Sequence, residues 1–443
     1  MKRRRTELAL LVFAALIISG LYALSALGRT ASLPANIGPF LAQVLALFLI
    51  AHIATRRLAP GADGTLLPLA VLLNGIGYVF IARLNEHLAA LQANWTAVGI
   101  GAYVLTLVVV RRIRELQRLE WTFGLIGLLL LLMPLVPGIG RDINGAKIWV
   151  SLGSLNFQPG EFAKIALALF FAAYLVDRRE LLAMTTWRVG PFHLPEPRYL
   201  GPVGVAWGIS LVIMVAERDL GSSLLFFALF VVMLWVATER PMYLGLGAVL
   251  FGIGSYLSWT QFAHVRDRVA IWRNPWADPT GKGFQIVQAI FAFAWGGITG
   301  AGLGLGDPTR IPAVESDFIF AAISEELGLL GGAAVLAAYI LIVGVGLRIA
   351  RVAERPYEKL LAVGLTTIIG VQAFIIIGGV TRVVPLTGVT LPFISYGGSS
   401  LVANYVLIAL LMRISDEHAR RAGEVEPRRT RASKRAAKVQ AAA

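Results

Sequence analysis

Between residues 260 and 317 the chain gathers Arg266, Arg268, Arg273, Asp278, Lys282, Arg310 and Asp317 in the longest interruption between its hydrophobic runs. Asp278 sits in NPWADPTGKG (274–283), where two prolines and two glycines stiffen the backbone into turns. A carboxylate held in this way can take a proton from a substrate hydroxyl. It can equally cap a turn, or the helix expected to start near Gly283. Arg266, Arg268 and Lys282 flank it. Guanidinium forks bind phosphate bidentately, so an anionic, diphosphate-bearing amphiphile is a natural ligand; contact with ordinary lipid headgroups is the plainer alternative. The loop holds too few carboxylates for a dedicated metal cage, so no protein-held metal is expected. A divalent cation (Mg or Mn) would come only with a substrate diphosphate.

Other polar groups interrupt the apolar runs. Glu161 and Lys164 open one run at i, i+3, and charges entering a membrane segment need a partner, so an ion pair is expected there. Asp317 and Ser324 share a helix face, with Glu325 and Glu326 turned progressively away, so at least one glutamate must meet a polar partner inside the bundle. Glu217, Arg218 and Asp219 lie in one short turn, where neighbouring opposite charges neutralise one another. GLGLG (302–306) has the look of a nucleotide loop but follows no strand, and reads as a flexible linker. No HExxH or GxSxG is present, the five histidines are scattered, and there are no cysteines, which excludes disulfides and thiolate chemistry.

The elements that carry these residues are membrane helices. Hydrophobic residues make up 57% of the 443 and charged residues 15%, with a mean hydropathy of +0.72. A soluble chain carries about a quarter charged residues, so this is a polytopic all-α membrane protein. About twelve spans are expected, at 7–27, 37–55, 66–84, 94–110, 121–138, 161–176, 201–216, 223–238, 242–259, 318–346, 360–380 and 399–414. Started inside, they place every basic cluster (2–5, 56–57, 111–118, 177–198, Arg240, 348–359 and the tail) in the cytoplasm, as the positive-inside rule demands. Both termini are then cytoplasmic and 260–317 is extracytoplasmic, where no ATP is available. The net charge of +14 reflects those cytoplasmic loops rather than nucleic acid. Residues 1–5 followed by 7–27 have the form of a signal peptide, but the charge parity works with the segment kept as a span. Residues 1–60 read as an added helical hairpin, 61–414 as the membrane core, and 415–443 as a basic disordered tail.

The motifs together resemble the SEDS family (RodA and FtsW). They are GAKIW (145–149) with QPGEFAK (158–164), DLGS (219–222), NPWADPTGKG (274–283), DFIF (317–320) with EELG (325–328), and LPFISYGGSS (391–400). They occur in order from about residue 66 to 413. The resemblance implies a ten-helix core preceded here by two extra spans. It also implies a peptidoglycan glycosyltransferase that polymerises lipid II at the outer face of the bacterial cytoplasmic membrane, for elongation or division, alongside a class B penicillin-binding protein among elongasome or divisome proteins. The family's catalytic aspartate maps onto Asp278, and its Glu and Lys onto Glu161 and Lys164. The motifs put Lys147, Trp149, Asp317, Ser395, Tyr396 and Ser399 with Arg266, Arg268 and Lys282 as substrate contacts. Two departures stand out: Glu217-Arg218 where the family has QP, and Glu315-Ser316 where it has HT. A lipid II flippase is the alternative of another class, and a catalytically silent scaffold a third; polymer made without membrane asymmetry separates them.

Overall fold

The computed structural model describes residues 2–32, 37–143, 146–152, 155–183, 187–189, 192–194, 201, 204–205, 208, 211–212, 217 and 219–424. The order is α1 (Lys2–Thr30), α2 (Ile37–Leu58), α3 (Leu66–Leu84), α4 (Glu86–Val109), α5 (Ile113–Gln117), α6 (Glu120–Leu132), β1 (Gly140–Ile143), β2 (Ala146–Leu152), β3 (Leu155–Phe157), α7 (Gly160–Asp177), α8 (Arg179–Ala183), β4 (Trp187–Val189), β5 (Phe192–Leu194), α9 (Leu220–Thr238), α10 (Met242–Gln261), α11 (Ala263–Arg273), α12 (Phe284–Gly296), α13 (Ile319–Val352), α14 (Pro356–Val380) and α15 (Gly398–Arg421). Among the described residues nine helices are long and apolar enough to cross a membrane. The chain is a multi-pass helical membrane protein.

One of the expected spans is shorter in the structure. The run 121–138 is a 13-residue helix ended by a 3-10 turn at Met133–Leu135. The run 161–176 is helical, as α7, with Glu161 in its first turn and Lys164 just after it, as expected. Most of 201–216 lies outside the described residues. The helices end where caps or breakers stop them. Asn85 closes α3 and starts α4, its side chain accepting from the N–H groups of His87 at 3.0 Å and Leu88 at 3.2 Å. α15 is almost wholly buried and packs on α4, while α6 lies on α7 and α13 on α14.

Two local features were not expected. The loop before α7 is an antiparallel sheet, β1–β2–β3, with Arg141 opposite Trp149 and Ser151 opposite Asn156. And α15 continues past 414 as a helix to Arg421. There Asp416 accepts from the Gly61 N–H at 2.7 Å and pairs with Arg420 at 2.7 Å, and Arg421 pairs with Glu358. Residues 415–421 are therefore an anchored helix end, because i, i+4 charge pairs that look like a solvated tail support a helix; 425–443 lie outside the described residues.

α13 is broken at Gly328, whose φ of 66° and ψ of −166° leave the helical region. Hydrocarbon tolerates such a break only where protein satisfies the freed backbone groups. The segment after α12 does this. Leu329 N–H donates to Gly297 O at 2.9 Å, and Ala301 N–H and Gly302 N–H reach Glu325 O and Glu326 O at 2.9 and 3.1 Å.

Candidate active site

α11 is short and amphipathic. Val265, Arg268 and Trp272 fall at i, i+3, i+7 and face inward, while Arg266 and Arg273 face out. Trp272 donates its indole N–H to Arg382 O at 3.0 Å, and Arg382 returns its guanidinium to Trp272 O at 2.9 Å and Arg273 O at 3.2 Å. Arg268 donates to Leu386 O at 2.8 Å. These bonds tie α11 to the loop after α14 and enclose a cavity of about 240 Å³, lined by Arg268, Trp272, Lys282, Gln285, Asp317 and Arg382.

Three cations and one carboxylate therefore share this space. Arg382 was not picked out from the sequence, because it lies more than a hundred residues from α11 in an ordinary TRVV stretch. Burial pushes the Asp317 carboxyl up to about 6, although the Ser316 hydrogen bond and the Arg268 charge pull it down. Burial likewise lowers Arg268, with Asp219 and Asp317 opposing. Asp317 is thus neutral below about pH 6 and ionised above it. An anionic ligand meets one more negative charge above that pH, so its KM is expected to rise as pH increases through 6. Asp317→Asn should flatten that limb in a KM-against-pH series; an unchanged limb would assign it to another group.

Asp278 stands on the exposed turn that carries Lys282. Its Oδ2 accepts from the Lys282 N–H at 2.9 Å, while Oδ1 has no hydrogen-bond partner among the described residues. The turn is closed tightly. A Cβ at Gly281 would lie 2.4 Å from the Asp278 carboxylate, and one at Gly283 would lie 2.2 Å from Pro275 O. Both readings of Asp278 meet here: one oxygen caps the turn and the other is open. Lys282 Nζ lies 2.8 Å from Asp267, an exposed pair that holds it only weakly.

The remaining predicted residues fall elsewhere. Arg266 turns back to Thr260 O at 2.9 Å and does not line the cavity. Neither do Lys147 and Trp149, which sit on β2, where the Lys147 N–H donates to Glu217 O at 3.1 Å. Ser395 and Ser399 are buried and use their hydroxyls internally. Ser395 accepts from Leu391 N–H at 2.9 Å and donates to Ser316 O at 2.5 Å, and Ser399 accepts from Gln158 N–H at 3.0 Å. Tyr396 N–H donates to Glu315 O at 2.8 Å. The 391–396 loop thus fixes the turn before Asp317 instead of facing the cavity, and its own bend is tight, with Phe393 at φ 67°. Arg218, and with it the expected Glu217–Arg218 neutralisation, lies outside the described residues.

Under the site runs a buried polar chain. Glu161 and Lys164 pair at 2.6 Å, Lys164 Nζ also donates to Gln372 Oε1 at 2.6 Å, and Gln372 donates to Thr390 O at 2.8 Å. Asp219 caps α9 through Ser222 N–H at 2.9 Å. Of the two EELG glutamates, Glu326 is paired with Arg83 and Glu325 accepts from Asp307 N–H at 2.7 Å.

A second, apolar space of about 970 Å³ opens between α9, α13 and α14, lined by Trp235, Leu336, Tyr339, Phe374 and Gly378 and ending at Thr381 and Val383. Those last residues flank Arg382, and Gly378 adjoins Gly379, both on the cationic cavity. The linings of the cationic cavity and the apolar groove thus alternate along residues 378–383, which sets the two spaces side by side.

A helical membrane scaffold with a cation-lined cavity beside an apolar groove offers a place to each end of an anionic amphiphile. Residues 65–420 match the FtsW, RodA and SpoVE family of cell cycle proteins. The chain is 44% identical over 437 residues to the peptidoglycan glycosyltransferase RodA of Mycobacterium tuberculosis, covering 96% of this chain and 93% of that one. It is 38% identical over 291 residues to the probable peptidoglycan glycosyltransferase FtsW of Geobacter metallireducens, covering 65% of this chain and 74% of that one. Among solved structures, one chain of a peptidoglycan synthase complex that coordinates polymerization and crosslinking superposes with a TM-score of 0.67 at 28% identity, over 81% of this chain and 98% of that one. The chain belongs to the FtsW/RodA/SpoVE family.

Proposed function

We propose that this protein is a peptidoglycan glycosyltransferase that polymerises lipid II at the outer face of the bacterial cytoplasmic membrane. The observation that carries this reading is the nearness of the cationic cavity to the apolar groove, whose linings alternate along residues 378–383. A polyprenyl diphosphate needs that pairing: anion above, hydrocarbon below. Residues 366–378 of α14 alone wall about 18 Å of the groove. The names of the relatives point the same way, and the likeness to proteins named RodA extends over nearly the whole chain, which favours that side of the family.

In the proposed reaction Asp278 Oδ1 takes the proton of an acceptor sugar hydroxyl. The oxygen attacks the anomeric carbon of a second lipid-linked sugar as the bond to its diphosphate breaks. Arg268, Lys282 and Arg382 hold the departing diphosphate, which is where charge develops. The activated sugar brings its own leaving group, so no nucleotide is required. The chamber's donor set does not suit a protein-held divalent cation, since it offers Asp317 as one carboxylate against three cations; a metal ion would have to be carried by the diphosphate itself. The complex from which the structural relative comes supports a crosslinking enzyme, a class B penicillin-binding protein, as partner.

Lipid translocation is the second reading, favoured by the broken helix at Gly328 and the buried charges of α7. Those charges are partnered within the protein, which suits a fixed scaffold. The test is purified protein in detergent with lipid II. Glycan polymer formed without any membrane asymmetry supports the enzyme. Absence of polymer under those conditions, with lipid II crossing the bilayer in vesicles, would replace polymerisation by transport.

A further inference from the structure

The first two helices precede the matched family region, which begins at residue 65, yet α1 reaches the loop that carries the site. Its buried positions form one stripe, Glu7, Leu11, Ala14, Ile18 and Ser25, at the spacing of a single helix face. Gly28 continues that stripe. Along it, Ile18 fills the hollow left by Gly75 of α3, where a Cβ would meet the Ile18 side chain at 2.1 Å. At the other end the fully buried Glu7 is bonded to His52 at 2.6 Å and to Arg56 of α2. A buried carboxylate so paired resists sliding, because any shift of α1 along its axis would strand the charge.

The outer end of α1 then meets residues 302–306 backbone to backbone. A Cβ on Gly28 would lie 2.1 Å from Leu303 O, and a Cβ on Gly304 would lie 2.4 Å from Ser25 O. The opposite side of the same loop is held by α13 and α3. Gly304 N–H donates to Glu326 Oε2 at 2.9 Å, and Arg83 donates to Gly306 O at 2.6 Å while pairing with Glu326. The GLGLG stretch is therefore a clamped segment and not a flexible linker. The segments on either side of it carry site residues: α12 before it contributes Gln285 at its first turn, and the turns after it, 307–318, contribute Asp317.

We infer that α1 is a positioning element for catalysis, with Gly28 as its contact residue. The added helix sets the height of residues 302–306 and, through them, the separation of α12 from Asp317. This inference rests on the polymerase reading for its kinetic arm only. A misplacement of about 1 Å remote from the chemistry can lower a rate by as much as about 100-fold.

The test uses the full-length protein and three variants. Gly28→Leu drives bulk into Leu303 O, and Gly28→Ala adds only the methyl carbon. Gly20→Leu adds the same bulk as the first to the same helix, at a glycine whose Cβ would meet nothing within 4 Å. Expected for Gly28→Leu is a fall in kcat for lipid II polymerisation of roughly 10- to 100-fold, with KM shifted less. Hydrogen exchange should rise in 297–318 and stay unchanged in 66–109. Gly28→Ala should show the same pattern more weakly, and serves if the leucine variant is not recovered. Gly20→Leu should match the parent throughout. Gly28 variants that polymerise and exchange like Gly20→Leu would overturn the inference, as would exchange raised uniformly across the protein. If the parent itself makes no polymer, the functional reading fails, and the exchange pattern alone still decides whether α1 positions this loop.

Discussion

Asp278→Asn is expected to reach the membrane in normal amount, melt with the parent and polymerise lipid II at least about 100-fold more slowly. The geometry makes this substitution selective. The turn requires an acceptor for the Lys282 N–H at 2.9 Å, and an asparagine oxygen supplies one. What is lost is the open, basic Oδ1. A residue that only capped the turn would cost about 1 kcal/mol of stability on removal and leave the rate intact. Asp278→Glu should also be slow. Gly281 already leaves no room beside the carboxylate, and an added methylene moves it by about 1 Å, which such sites tolerate poorly. Initial polymerisation rates in detergent, with lipid II binding measured separately, check the prediction. Binding should persist, because Arg268 and Arg382 are held by bonds to Leu386 O and Trp272 O that do not involve Asp278. A near-parental rate for Asp278→Asn would move the base to Asp317, the carboxylate inside the chamber.

How far this site could be read in advance depended on the distance between its parts along the chain. The 274–283 turn was legible because prolines, glycines and the carboxylate lie within ten positions. The Glu161–Lys164 pair was legible because i, i+3 spacing puts both on one side of a helix. Arg382 was not, since only the exchange of hydrogen bonds with Trp272 brings it to Arg268. The apolar groove was equally hidden: its walls come from α9, α13 and α14, and any membrane helix is apolar on its outer face. Arg266 misled for the opposite reason. It is two residues from Arg268, but two residues on a helix is about 200° of rotation, and it faces away. The LPFISYGGSS motif implies substrate contact by resemblance, whereas Ser395 and Ser399 are buried and bonded to backbone. A motif marks a requirement without saying whether ligand or loop imposes it.

Lys164→Met is expected to lower folded yield sharply, by an amount consistent with the roughly 3–5 kcal/mol typical of breaking a buried ion pair from one side. It leaves Glu161 buried without its cation, and removes the donor to Gln372 Oε1. Glu161→Gln should be milder, since Lys164 keeps Gln372 as an acceptor. The neutral double variant Glu161→Gln with Lys164→Met should recover much of the yield, because neither charge is then stranded. The charge-swapped double variant should recover less. It would set a carboxylate at position 164 against Gln372 Oε1, and the amide has no free way to turn, as its Nε2 is bonded to Thr390 O at 2.8 Å. Thr390 in turn reaches Ser400 at 2.9 Å, at the start of α15. Disturbing Gln372 therefore also disturbs the 391–396 loop that seats Asp317, and any swapped protein that does fold should polymerise poorly. Thermal stability and polymerisation measured on all four variants check the series. Recovery by the swap equal to that of the neutral pair would show that only the pairing of charges matters, and that the Gln372–Thr390 link does not carry position to the site.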